Sequence, residues 1–199
     1  MNKGTKSMNI FLPYPNNIEK SIQSLDDIRL QKQAVEAYQL LTTAMKEKNG
    51  EVVKGHSHHP VYTFYKDNVD FLAYYGMRCC NEWSCRMHKE HSLLKYFWEQ
   101  CNKMYDGDEH KFICPPFTPY YMENSKDSPF CIRTTKDVDM LFQQKLIHKW
   151  QNDNRKPKWT NRDMPKFYEG YLDLSPYMQD DFWNYVRMIK ERNYINKGN

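Results

Sequence analysis

Between residues 24 and 50 the apolar side chains Leu30, Ala34, Ala37, Tyr38, Leu41, Ala44 and Met45 recur at intervals of three and four. That spacing returns to one side of a helix with 3.6 residues per turn, so it predicts a long amphipathic helix with this stripe buried. Ser24 and Asp27 have capping-box spacing and place the expected start at Ser24, while Gly50 is the expected stop, because glycine accepts the left-handed turn that ends many helices. From about Val61 to Met104 the pattern reads as two or three helices, with Phe64, Phe71, Leu72, Tyr75, Leu93, Phe97 and Trp98 as core candidates and Gly76 as a break or a tight helix crossing. A further helix is expected near Val138 to Gln151, and a last one opens at Ser175–Pro176 and runs to about Tyr194.

The remaining stretches lack periodicity. The first eighteen residues, with Pro13, Pro15 and the Asn16–Asn17 pair, read as an extended lead-in. Tyr105 to Thr134, with its DGD, CPPFTP and KDSP segments, reads as irregular because proline removes backbone donors and fixes φ. No alternating strand set, internal repeat or interdomain linker appears. The expected fold is therefore all-α: one compact helical domain over residues 1–199, with an extended N-terminal arm and irregular proline-rich loops.

Composition sharpens this picture. Only 7 glycines against 15% aromatic residues favour helices packed through large side chains, and 199 residues suffice for a core without metal or disulfide staples. No apolar run is long enough to span a membrane, and MNKGTKSMNIF lacks the apolar centre of a secretory signal, so an intracellular, cytoplasmic protein with six reduced cysteines is expected. A formal charge of +4 is compatible with a nucleic-acid partner without demanding one.

Three groups of residues carry candidate chemistry. Arg29, Lys32 and Glu36 fall on one helical stripe opposite the apolar one. They read either as a carboxylate kept ionised among cations, or as a solvated face with an ordinary Lys32–Glu36 pair. Lys145, Lys149, Arg155, Lys156, Lys158, Arg162 and Lys166 are opposed only by Asp153 and Asp163 and enclose Trp150 and Trp159. That group is either a surface for phosphates and stacked bases, or a solubilising loop around two core indoles. His56, His58, His59, Cys80, Cys85, His88 and His91 invite a zinc reading, but they lack the paired-thiol spacing of structural sites, so no metal and no cofactor is expected.

Four segments together, MNIFLPYP from Met8, SLDDIRLQKQAVEAYQLL from Ser24, HHPVYTFYKDNVDFL from His58 and HKWQNDNRKPKW from His148, resemble in order and spacing the pyrimidine-dimer DNA glycosylase, or phage endonuclease V, family. The resemblance runs from Met8 to about Phe167. It leaves residues 1–7 as an N-terminal extension, 8–167 as the endonuclease V-like region and 168–199 as a C-terminal helical extension. It implies an arm that threads between helices and brings an α-amine to the active site. Such an amine has a pKa of about 7.7–8.0, so an appreciable fraction is a neutral nucleophile near pH 7. In the family the amine attacks the sugar C1′ of a damaged nucleotide, expels the base and leaves an imine that permits β-elimination of the 3′ phosphate.

By this resemblance Glu36 takes the position of the family's catalytic glutamate, and Met8 or Asn9 supplies the amine. Arg29 and Lys145 match basic positions of the family, Lys145 near the DNA backbone. His59 opens a segment that contacts the lesion strand or caps a helix. Lys32, Lys149, Arg155, Lys156 and Lys158 join them as DNA contacts on the strength of their charge. Two departures stand out: MNKGTKS precedes Met8, and Val35 occupies the place of an arginine. The expectation is a monomeric, metal-independent DNA-repair glycosylase with AP-lyase activity, of phage or viral type, acting on damaged double-stranded DNA, inside the host cell if viral. The alternative is a non-catalytic DNA-binding protein on the same scaffold.

Overall fold

The computed structural model describes residues 9–53, 60–105 and 135–195. Among these residues there are eight helices and no strand: α1 (Ile18–Ser24), α2 (Asp27–Lys48), α3 (Pro60–Tyr65), α4 (Val69–Met87), α5 (Leu94–Met104), α6 (Thr135–Gln151), α7 (Lys166–Leu172) and α8 (Pro176–Ile195). The all-α expectation holds, and the stretch from Val61 to Met104 resolves into three helices. The Tyr105–Thr134 expectation lies, beyond Tyr105 itself, outside the described residues.

The long helix starts later than the Ser24–Asp27 spacing suggests. Asn17 caps α1 by accepting from Lys20 N at 2.9 Å, and Ser24 closes that short helix, its Oγ donating to Ser21 O at 2.7 Å. Leu25 then turns extended, and Asp26 becomes the residue before α2. The stop is as expected. Gly50 adopts φ 77°, its N–H bonds to Glu47 O and the Glu51 N–H to Lys46 O, which satisfies the last carbonyls in a Schellman arrangement.

α2 packs its predicted stripe against α4, with Tyr38 and Met45 partly buried, in the most extensive helix–helix contact among the described residues. The face expected to be solvated is only partly so. Arg29 and Glu36 are buried along with Gln33, whereas Lys32 stays exposed. The wheel misleads because α2 is covered twice, by α4 on one side and by the N-terminal arm and the segment after α6 on the other. The arm inserts Ile10, Phe11 and Leu12 into the core, and Gln143 Nε2 on α6 donates to Pro13 O at 3.1 Å.

Gly76 marks a crossing and not a break, since α4 runs through it uninterrupted. A Cβ at this position would collide with the ring of Phe97 on α5, which is fully buried and has no room to turn away. Alanine offers about 1 kcal/mol in helix propensity, but overpacking a closed core costs about 1–3 kcal/mol. With the added Cβ far inside contact distance of the ring, the upper part of that cost applies, and Gly76→Ala is expected to lower stability by about 1–2 kcal/mol net in urea unfolding. Trp98, one residue beyond Phe97, corrects the core reading. It is 45% exposed, because α5 presents Phe97 and Cys101 to α4 and turns Trp98 away.

After α6 the chain forms an aromatic cluster. Trp150 lies 5.2 Å from Trp159, 4.6 Å from Tyr168 and stacked at 5.8 Å on Phe167, measured between ring centroids. The indole N–H of Trp150 donates to Asp26 Oδ1 at 2.7 Å and that of Trp159 to Ser24 O at 3.0 Å. Both indoles are thus packing elements, the second of the two readings that the sequence left open. Helix α7, which supplies Phe167 and Tyr168, was not expected from the pattern, because seven residues are too few to show a period.

Arg86 is the buried joint of the molecule. From the last turn of α4 its guanidinium donates to Leu25 O at 2.7 Å and Gln23 O at 2.9 Å, where α1 ends, and pairs with Glu82 at 2.8 Å and Asp27 at 3.2 Å. Asp27 in turn accepts from Thr160 Oγ1 at 2.7 Å, and Arg162 lies on Glu82 at 2.7 Å. Arg162, although exposed, is therefore engaged by a carboxylate of its own chain, despite its place in the basic run.

Candidate active site

The N-terminal arm meets α2 at Glu36. The backbone N–H of Asn9 points at Glu36 Oε2 from 3.4 Å, and Gln33 Nε2 donates to the same oxygen at 2.7 Å. The other carboxylate oxygen lies 3.5 Å from Lys32 Nζ, whose side chain is about half exposed. A peptide nitrogen, a carboxamide, a carboxylate and an ammonium group therefore converge at the point where the arm enters the core.

Burial pushes the Glu36 carboxyl above its ordinary value, against the pull of Lys32, the Asn9 amide and Gln33, which favour the ionised form. Of the cations on the predicted stripe, Lys32 reaches the carboxylate and favours its charge, while burial works against it. Arg29 does not reach this role because its guanidinium is held by Asp26 at 3.2 Å and Asp153 at 2.5 Å. A carboxyl with a raised pKa exchanges a proton more readily near neutral pH than an ordinary glutamate does. The Tyr75 phenol beneath it is fully buried and pushed well above its usual value by desolvation, so it stays neutral and acts as a donor.

Gln33 and Tyr75 were missed as site residues, although one signal was legible. Gln33 lies three residues after Leu30 and four before Ala37, on the buried stripe, and a buried carboxamide requires partners. Which partners it finds could not be read from spacing, because the arm arrives from 22 and 24 residues away.

The basic residues divide into two sets. Lys145 and Lys149, on α6, are half-buried. Arg155, Lys156 and Lys158 are exposed on the segment after α6, which is tied to the start of α2 where Asp27 N donates to Lys158 O at 2.9 Å. Asp27 and Glu36 are nine residues apart on one helix, about 14 Å along its axis. Met8 and His59 lie outside the described residues.

Two other features stand apart from this site. Cys80 Sγ is 3.3 Å from His91 Nδ1, but Cys85 and His88 are exposed elsewhere, and no three His, Cys, Asp or Glu side chains gather as a metal site among the described residues. Desolvation pushes the Cys80 and Cys101 thiols up to about 12, so both stay protonated. A cleft of about 150 Å³ lined by Met140, Ile147, Phe167 and Phe182 is apolar and contains none of the groups around Glu36.

No curated protein and no solved structure matches the chain. A family model described as pyrimidine dimer DNA glycosylase matches residues 8–97, which takes in the arm, α2 with Glu36, and α3 to the first turn of α5. Over residues 8–97, a little under half of the sequence, the chain is similar to the pyrimidine dimer DNA glycosylase family.

Proposed function

We propose that the protein is a DNA-repair glycosylase with AP-lyase activity on damaged double-stranded DNA, using an α-amine at residue 8 or 9 and the carboxyl group of Glu36. The observation that carries this reading is the approach of Asn9 N to within 3.4 Å of a buried carboxylate. In a chain beginning at Asn9 that nitrogen is itself the amine. In a chain beginning at Met8 the amine lies one residue further out, within about 3.8 Å of Asn9 along the backbone.

The chemistry follows from these groups. The neutral amine forms a bond to C1′ of the damaged nucleotide as the glycosidic bond breaks and the base departs with its electron pair. Ionised Glu36 stabilises the cationic character at the sugar. Loss of the amine proton and opening of the ring give an imine. Removal of a C2′ proton then breaks the C3′–O bond and releases the 3′ phosphate, a proton transfer suited to a carboxyl whose pKa has moved toward neutrality. Extrusion of the nucleotide costs least where pairing is already damaged. The exposed Arg155, Lys156 and Lys158, with Lys32, Lys145 and Lys149, supply sequence-independent phosphate contacts, and His59 completes the proposed DNA-binding set, while the buried Arg29, held by Asp26 and Asp153, acts from behind that surface and not on the DNA.

The test is reductive trapping with borohydride on an abasic duplex, followed by mapping of the adduct by mass spectrometry, on chains started at Met1 and at Met8. An adduct on the terminal residue of the Met8 chain is the expected result. The absence of any adduct with either start overturns the catalytic reading. In a chain that keeps residues 1–7 the nitrogen beside Glu36 is a peptide amide and no nucleophile, which favours the second reading, a protein that binds DNA on this scaffold without cutting it. That protein binds duplex with a steep salt dependence and leaves abasic sites intact.

A further inference from the structure

The side chain of Gln33 has its full complement of partners. Its Nε2 donates one hydrogen to Asn9 O at 2.7 Å and the other to Glu36 Oε2 at 2.7 Å. Its Oε1 accepts from Phe11 N at 2.8 Å and lies 2.9 Å from the Tyr75 hydroxyl. A carboxamide has two donor hydrogens and an acceptor oxygen with two lone pairs, so all four capacities are used. The orientation is fixed by the same count. Turning the amide over would set its NH₂ against the Phe11 N–H and its oxygen against two other oxygens. The Tyr75 hydroxyl, also 3.0 Å from Phe11 O, has one proton to share between the arm and Gln33.

The geometry points to Gln33 as the positioning residue of this site, a clamp that holds the backbone of residues 9 and 11 at a fixed distance from the Glu36 carboxylate. The inference rests on the catalytic reading proposed above. Gln33 does not touch the reacting atoms in this scheme. It acts by aiming one oxygen of Glu36 and by fixing where the chain carrying the amine enters. A buried glutamine in the middle of an apolar helix stripe gains nothing for packing over leucine, and its four bonds all run to the arm, to Glu36 and to the tyrosine that supports the arm. A simple core role does not require a donor pair directed at both residue 9 and Glu36.

The chemical demand is specific. Glutamate at position 33 keeps the acceptor for Phe11 N and Tyr75 but puts a second carboxyl against Glu36 and loses the donors. Leucine keeps the approximate volume and loses all four bonds. Gln33→Glu in the Met8-started chain is therefore expected to melt within a few degrees of the parent at pH 6. It is expected to bind abasic duplex with unchanged affinity, to cut it about 10- to 100-fold more slowly in single turnover, and to move the acidic limb of the rate profile to higher pH, because two adjacent carboxyls share a proton. Gln33→Leu is expected to speed amide hydrogen exchange at residues 9–12 at least tenfold, while exchange in α4 and α5 stays slow.

The outcomes separate the two ideas. A Gln33→Glu protein that cuts at the parental rate with an unshifted profile, while Glu36→Gln is inactive, overturns the clamp and spares the catalytic reading. A parent that forms no adduct overturns the catalytic reading and with it the effect on rate. The exchange experiment needs no activity: unchanged protection at residues 9–12 in Gln33→Leu overturns the clamp whatever the enzyme does.

Discussion

Glu36→Gln is expected to abolish strand cleavage at abasic sites, by about 10²- to 10⁴-fold in single turnover, while duplex binding stays within about threefold of the parent. Glutamine matches glutamate in shape and still accepts from Gln33, so the arm keeps its seat, but it can neither carry negative charge nor take a proton. The comparison is made by single-turnover cleavage and fluorescence anisotropy on the same abasic duplex. A Glu36→Gln protein that cuts at more than a tenth of the parental rate would remove this carboxylate from the mechanism.

The same substitution has an opposite effect on stability. Because burial raises the carboxyl pKa in the folded state, the fold prefers the protonated form. The stability gained from that preference is complete below the unfolded value and is lost as pH rises through the folded one. At pH 7 the parent therefore carries a charge that the fold disfavours, and the permanently neutral Glu36→Gln should melt at a higher temperature. The difference should shrink as pH falls and disappear near pH 3, about one unit below the ordinary glutamate value. For the reaction, a step that needs ionised Glu36 should show an acidic limb above the ordinary glutamate pKa, not at it. Higher stability combined with lost activity is what a site built at the expense of the fold predicts.

Replacement of Arg86 by methionine is expected to be the most destabilising single change in the described core. The guanidinium is 1% exposed, and its loss leaves the Leu25 and Gln23 carbonyls and the buried Glu82 carboxylate short of donors. Removal of one partner from a buried charge network costs about 3–5 kcal/mol, because the group left behind is desolvated and uncompensated. For a chain of this length that lowers Tm by roughly 10 °C. Glu82 sharpens the test. Desolvation opposes its charge, but Arg162 and Arg86 together hold its carboxyl below the ordinary value, so its stabilising contribution is present above the unfolded pKa and fades as pH falls. Arg162 is the more exposed of the two and remains in the variant, so the loss should be severe but short of complete unfolding at 25 °C. Calorimetry and urea titration decide this, and a Tm within about 2 °C of the parent would show that Arg86 holds no such joint.

The helices were largely visible in the sequence because their causes are local. Leu30, Ala34, Ala37, Leu41 and Ala44 share a stripe through backbone geometry alone, and Gly50 takes the left-handed turn that ends α2 because it has no Cβ. Local cues also failed where two of them competed. Ser24 has the right neighbour for a cap, but Asn17 starts a helix seven residues earlier, and Ser24 is used to end it. Trp98 looks like a core residue in any window, yet only the direction in which α5 meets α4 decides that Phe97 goes inside.

The sequence by itself determined the all-α character and the boundaries of α6 and α8 to within a few residues, since periodicity is a property of nearby residues, and its motif order pointed to Glu36 as the candidate carboxylate. Tertiary structure alone decided that Arg29 is tied to Asp26 and Asp153, that Trp150 and Trp159 are packing elements, and that Gln33 joins the arm to Glu36. These contacts bridge up to 135 residues of chain. Their energies depend on which surfaces lose water together, and no window of neighbouring residues contains that information.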